Sequence, residues 1–286
     1  MESNPFKSRL ADALAAAPAA TAGRAPMLGT WLMSAAPAAA EALGHCGFDF
    51  LVVDMEHSPI DLGETIGLLR AIAGTPSEPL VRIAWNDQVL VKRVLDAGAR
   101  NVMFPFVQNA DEAAAAVSYT RYPPQGVRGV AAMHRGSRYG QVKDYLRRAN
   151  DQIAVVIQLE TPEAIERLPA IAAVPGVDSL FLGPGDLSAA MGRIGAIGDP
   201  EVQAMIARAA RDAHAAGRPI GIVGAHPAQV ATYLEYGYDW VAVASDLAML
   251  TGRAGEFVAA VRGQSAVSGQ SAGGGSNAGA AGGPAY

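Results

Sequence analysis

Hydrophobic positions recur along this chain in short, nearly unbroken aliphatic runs. Each is followed by a longer stretch in which apolar residues return at helical spacing. The runs Met27–Leu32, Phe50–Asp54, Leu80–Ala84, Asn101–Phe104, Ile153–Leu159, Ser179–Leu182, Pro219–Val223 and Trp240–Val243 read as strands. The Ala-rich stretches Leu62–Ala73, Gln88–Ala97, Ala110–Arg121, Pro162–Val174, Glu201–Ala216, Pro227–Tyr236 and Ala248–Val261 read as helices. Strands that are apolar almost throughout, rather than alternating, belong to parallel sheets covered on both faces. Eight strand-then-helix units in a chain of this length predict a closed (β/α)8 TIM barrel. A doubly wound open sheet is the rival, but no G-x-G-x-x-G follows the first strand.

Three segments fall outside this alternation. Residues 1–18 mix charge with Ala and Leu and read as a short amphipathic leading helix. The connection from Tyr122 to Asp151 carries several Gly and Pro residues. Long loops of this kind are commonly functional. We expect a helix within it over Tyr139–Ala149, and expect the whole to cover the barrel mouth or touch a neighbouring subunit. From Gly263 to Tyr286 the chain is mostly Gly, Ser and Ala, which cannot offset their ordering entropy by burial. The sequence therefore predicts a barrel domain over residues 1–262 and a disordered tail over 263–286.

Composition narrows the partners. The net charge is -5 and no Lys/Arg block is present, which argues against nucleic acid. No apolar run has the roughly 20 residues of a membrane span. The N-terminus lacks the basic-then-apolar order of a secretory signal, so a cytoplasmic location is the default expectation. The single cysteine, Cys46, cannot form an intrachain disulfide and reads as a small buried side chain.

Chemistry in a barrel gathers where strands end. Four such places put polar residues directly after buried aliphatics: Asp54-Met55-Glu56-His57, Arg82, Gln158-Leu159-Glu160, and Gly183-Pro184-Gly185-Asp186. Charge there is desolvated unless paired or metal-bound, which makes these residues functional candidates. Glu160 and Asp186 lie at adjacent strand ends and suit a hard divalent cation, Mg2+, Mn2+ or Co2+, with positions left open for substrate oxygens. The plainer alternative has Glu160 capping the helix that starts at Pro162 and Asp186 capping a turn. His57 suits proton transfer, since histidine ordinarily titrates near neutral pH, but a surface histidine is the competing reading. Arg82 can clamp a carboxylate or an enolate oxygen, or serve as a structural salt bridge. Gly183-Pro184-Gly185 either admits a ligand close to backbone or makes a plain tight turn. His45, Cys46 and His57 match no zinc spacing. His134, His214 and His226 read as solvated or structural.

These motifs, taken in order, resemble the class II pyruvate aldolases of the HpcH/HpaI type, and within them the members acting on 4-hydroxy-2-oxoheptanedioate. The resemblance spans about residues 5–262. It runs through Gly29-Thr30-Trp31-Leu32, Asp54-Met55-Glu56-His57, Val81-Arg82, Trp85-Asn86-Asp87, and Val107 through Ala113. It continues through Arg121-Tyr122-Pro123-Pro124, Gln158-Leu159-Glu160-Thr161 and Gly183 through Ser188. It implies that Glu160 and Asp186 hold the metal and that His57 is the general base. Asp96 is then the acid that strengthens that base, Arg82 the transition-state stabiliser and Gln158 a substrate-binding amide. Gly185 and Asp186 then form the turn whose backbone holds the substrate carboxylate. It further implies a homohexamer, a trimer of dimers with an exchanged helix, that splits 4-hydroxy-2-oxo acids into pyruvate and an aldehyde such as succinic semialdehyde. Gly185 stands where many members have alanine, and Met55 where close relatives have a small residue. Two rivals remain: a CoA-ester lyase of the citryl/malyl-CoA type on the same barrel, and a catalytically silent barrel subunit. The sequence has no lysine after a strand end suited to a Schiff base, and no basic cluster of the kind a CoA nucleotide needs.

Overall fold

The structure, a computed structural model, describes residues 3–15 and 26–263. The eight strands are β1 (Met27–Leu32), β2 (Phe50–Asp54), β3 (Glu78–Arg82), β4 (Asn101–Phe104), β5 (Ala154–Leu159), β6 (Ser179–Leu182), β7 (Ile220–Gly224) and β8 (Trp240–Ser245). They close into one parallel barrel in chain order, with β1 pairing β8. The expected (β/α)8 architecture is what forms. The proposed tail lies, apart from Gly263, outside the described residues.

Around the barrel lie α1 (Pro5–Ala15), α2 (Pro37–Gly44), α3 (Leu62–Ile72), α4 (Gln88–Asp96), α5 (Ala110–Thr120) and α6 (Tyr145–Arg148). After them come α7 (Pro162–Glu166), α8 (Leu168–Ala172), α9 (Pro184–Ala190), α10 (Pro200–Ala215), α11 (Pro227–Glu235) and α12 (Asp246–Val261). The single helix expected over Pro162–Val174 is two, parted at Arg167, because Pro169 supplies no N–H and disfavours helical backbone at the residue before it. The helix expected over Tyr139–Ala149 is only α6, since Tyr139, Gly140 and Asp144 take left-handed backbone. Gly183-Pro184-Gly185 is no plain turn; it opens α9. Cys46 is exposed rather than buried, because it lies just past the last turn of α2.

The alternation missing from the sequence reading is present in the packing. One set of strand residues, including Leu51, Val53, Val81, Val155, Ile157, Leu180 and Leu182, packs against the helices. The other set, including Phe50, Val52, Leu80, Val156, Phe181 and Trp240, fills the barrel. Both faces are apolar, so hydropathy alone does not separate them. Inside, Gly29 and Gly221 leave room for the Phe50 and Trp240 rings, where a Cβ would stand 2.3 and 2.2 Å away. Helix α1 closes the N-terminal end. Phe6 meets Phe50 and Trp240 edge-on, each with ring centroids 5.7 Å apart.

The long connection does not cross its own barrel mouth. Val127 accepts from the Gln88 amide at the top of α4, and Arg135 donates to the carbonyls of Ala97 and Leu69 at the bottom. The segment thus follows the outer flank of α4. Among the described residues, no helix is long and apolar enough to cross a membrane.

Candidate active site

The inward face of the strands turns polar at one end. Along β2 it reads Phe50, Val52, Asp54; along β3, Leu80 then Arg82; along β5, Ala154, Val156 and Gln158, with Glu160 just beyond. Side chains alternate strictly along a strand, so aliphatic packing below delivers these polar groups into the mouth above. A register slip of one residue would bury them in the helix layer instead. Strand pairing sets Asp54 beside Arg82 and Gln158 beside Phe181.

A recess of about 50 Å³ opens there. Its walls include Trp31, Arg82, Gln158 and Glu160, with His57, Gly185 and Asp186 at the same opening. Arg82 is held three ways. Its Nε and Nη2 donate to the two oxygens of Asp54 at 2.9 and 2.8 Å. Its Nη1 lies 3.0 Å from Glu56 Oε2, and its guanidinium stacks 4.2 Å from the centre of the Trp31 ring. Asp54 is fully buried and also accepts the backbone N–H groups of Glu56 and His57. That one carboxylate shapes the loop carrying the histidine. The two readings of Arg82 are thus compatible: the fork toward Asp54 is structural, and the residue also lines the recess.

Glu160 is 2% exposed. Gln158 Nε2 donates to its Oε1 at 2.7 Å, and the Phe106 backbone N–H donates to its Oε2 at 2.9 Å. Gly183 faces it, and a Cβ there would come within 2.6 Å of Oε1, so the glycine is a steric requirement. Burial, then the nearby Glu56 and Asp186 carboxylates, push Glu160 up to about 8, with Arg82 opposing. Burial likewise raises Glu56, against the pull of Arg82 and His57. The Gln158 Oε1, Glu56 Oε2 and Trp31 Nε1 atoms are buried without a hydrogen-bond partner. Thr161, not Glu160, caps α7, and Asp186 lies inside the first turn of α9. Neither carboxylate therefore has the capping role that was its plainer alternative.

Six of the seven residues proposed from sequence line this one recess. His57 is 58% exposed at the rim, its Nε2 3.9 Å from Glu56 Oε1. Asp96 is the exception. It ends α4, about 13 Å of helix below the mouth. There it pairs with the buried Arg128 at 2.7 Å and lies 3.6 Å from His134 Nε2. Asp54, Glu56 and Trp31 had no role assigned from sequence. The inward alternation Phe50-Val52-Asp54 was the available signal for the first of them. His214 pairs with Asp239, and His134 and His226 cap helices, as structural histidines do.

Two inward carboxylates beside a clamped arginine, at the mouth of a parallel barrel, define an enzyme site of the (β/α)8 class. The chain belongs to the HpcH/HpaI aldolase/citrate lyase family, which matches residues 27–252. It is a carbon–carbon lyase of the class II aldolase type. It is 55% identical over 239 residues to the 2-dehydro-3,6-dideoxy-6-sulfogluconate aldolase of Pseudomonas putida, covering 84% of this chain and 94% of that one. It is 47% identical over 246 residues to the 4-hydroxy-2-oxo-heptane-1,7-dioate aldolase of Shigella sonnei (strain Ss046), covering 86% and 93%. The crystal structure of an HpcH/HpaI aldolase/citrate lyase family protein from Burkholderia cenocepacia J2315 superposes with a TM-score of 0.85 at 42% identity, covering 91% and 100%.

Proposed function

We propose that this chain is a divalent-cation-dependent pyruvate aldolase that cleaves or forms 4-hydroxy-2-oxo acids. The observation that carries this reading is that Glu160, only 2% exposed, and Asp186 line one small recess together with Arg82. A divalent cation fits that donor set: Glu160 and Asp186 offer hard oxygen ligands, and two carboxylates leave positions open for substrate. Mg2+, Mn2+ and Co2+ all suit it. Such a cation, when bound, supplies Lewis acidity at the 2-oxo group.

The chain's own residues do the rest. Gln158 and the Gly185–Asp186 segment orient the 2-oxo acid end. His57, at the open rim, takes the proton of the C4 hydroxyl. The C3–C4 bond then breaks, its electron pair passing into an enolate as the aldehyde departs. Arg82 Nη1 stabilises the enolate oxygen, and protonation at C3 completes pyruvate. The named substrates of the two relatives both end in an anionic group, so the aldehyde half is proposed to carry one as well. The test is deuterium exchange into the pyruvate methyl group over Mg2+, Mn2+ and Co2+, followed by aldol addition to succinic semialdehyde, 3-sulfolactaldehyde and lactaldehyde. Cation-dependent exchange is the expected result. Full activity in EDTA, with metal loss verified, overturns the reading.

Asp96 joins this reading only through a second copy. It lies at the far end of α4 from His57, so a His57–Asp96 pair requires two subunits. Helix α12 leaves Leu250, Phe257, Val258 and Val261 exposed, a face suited to a homo-oligomer such as the implied hexamer. Mixing inactive His57→Ala and Asp96→Ala proteins after subunit exchange should restore part of the activity. No recovery in verified mixed oligomers removes the intersubunit pair.

A further inference from the structure

Glu56 stands between two residues with proposed chemical roles and has none assigned itself. It lies two residues past β2, on the loop whose backbone Asp54 holds, and its own N–H donates to Asp54 Oδ1 at 3.0 Å. Its side chain is 15% exposed. One oxygen, Oε2, lies 3.0 Å from Arg82 Nη1, and the other, Oε1, lies 3.9 Å from His57 Nε2. A guanidinium has five N–H donors. Asp54 takes the Nε and Nη2 edge, and Nη1 meets Glu56. Oε2 is buried against Arg82 Nη1. The 3.9 Å separation from His57 is longer than a hydrogen bond, as catalytic contacts commonly are before substrate binds.

An exposed histidine needs something to limit the rotation of its ring. A carboxylate of the same chain beside one ring nitrogen does so, while the acid that strengthens the base remains the Asp96 of a second copy. Among the described groups that face His57, Glu56 is the carboxylate within ion-pair reach. The same carboxylate keeps Arg82 Nη1 from swinging away from the recess.

We propose that Glu56 is a positioning residue that ties His57 and Arg82 into one unit, so that the proton acceptor and the oxyanion stabiliser keep a fixed relation. This rests on the pyruvate-enolate reading of the site.

The experiment uses the full chain with Mn2+ and pyruvate as the probe, and follows methyl proton exchange by NMR. Glu56→Gln keeps the shape and removes the charge. It should lower the exchange turnover about 10- to 100-fold, as loss of a supporting partner does, with KM for pyruvate within about twofold. The deciding measurement is a cycle with His57→Ala. If Glu56 works through His57, adding Glu56→Gln to His57→Ala costs little more. Wild-type turnover in Glu56→Gln, or an equal loss in both backgrounds, overturns the proposal. Should Glu56→Gln fail to fold, Glu56→Asp, which keeps the charge but withdraws it by one methylene, carries the same cycle and the same two outcomes. If the wild-type protein itself exchanges no pyruvate protons, the reading of the site fails; if it exchanges and the Glu56 variants do too at full rate, only this inference fails.

Discussion

The two ends of the barrel are built on opposite principles. At the N-terminal end, α1 lies against the strands, and Phe6 and Leu10 are 1% exposed. Several polar groups there find partners, although Gln152 Oε1 is buried without one. Asn4 donates to the Asn101 side chain at 2.8 Å and to the Gln152 carbonyl at 2.9 Å, and Trp240 donates to Ser179 Oγ at 3.0 Å. At the C-terminal end, carboxylates crowd one arginine, and Trp31 Nε1 and Gln158 Oε1 are buried without a hydrogen-bond partner. The closed end packs aromatic rings beneath a helix and contributes stability. The open end gathers charge in a recess, the arrangement on which the proposed cation and anionic substrate rest.

The largest effect that could break this contrast is expected at the closed end. Phe6→Ala should cost about 3–5 kcal/mol of folding stability, the usual range for an emptied aromatic site, while turnover per folded molecule stays unchanged. Denaturant titration alongside the exchange assay checks it; a loss of turnover in folded protein would mean the two ends are coupled.

At the open end, Glu160→Gln should do the reverse. Turnover should fall about 10²- to 10³-fold, the range for losing one electrostatic stabiliser, with stability little changed below about pH 8, where Glu160 keeps its proton, and higher above it, where like-charge crowding is relieved. A smaller effect sharpens the same point. Glu160 is raised from 4.5 to about 8 in the cation-free protein. A carboxylate shifted upward favours the fold when protonated, so the cation-free protein loses this contribution as pH climbs through that window. Cation binding displaces the proton. Affinity should therefore rise with pH up to about 8, with up to one proton released below it, and Glu160→Gln should abolish that release. Calorimetry in buffers of different ionisation enthalpy measures the proton count.

Much of this molecule is readable before folding. Local rules suffice for the strands, because short aliphatic runs bounded by helical stretches have few other uses. They also suffice to single out Arg82, Glu160 and Asp186, which line the recess, because charge directly after a buried run is costly without a purpose. They fail where backbone geometry depends on neighbours. The split of α7 from α8 and the shortening of α6 follow from Pro169 and from left-handed residues whose strain the surroundings hold. Asp54, a candidate by its place at a strand end, has no role readable there, because its work is done by contacts to Arg82 and to two backbone N–H groups.

By itself the chain determines the alternation of strand and helix, and hence the closed barrel with its chemistry at the strand ends. Those features depend on residue type and spacing over short distances. Only the tertiary structure decides which strand face turns inward, since both faces are apolar and barrel closure chooses between them. Closure brings Glu160 opposite Gly183, sets Arg82 against Asp54 and Glu56, and stands Asp96 against Arg128 of the long connection. Those are distances between residues far apart in the chain, and they exist only once the barrel closes.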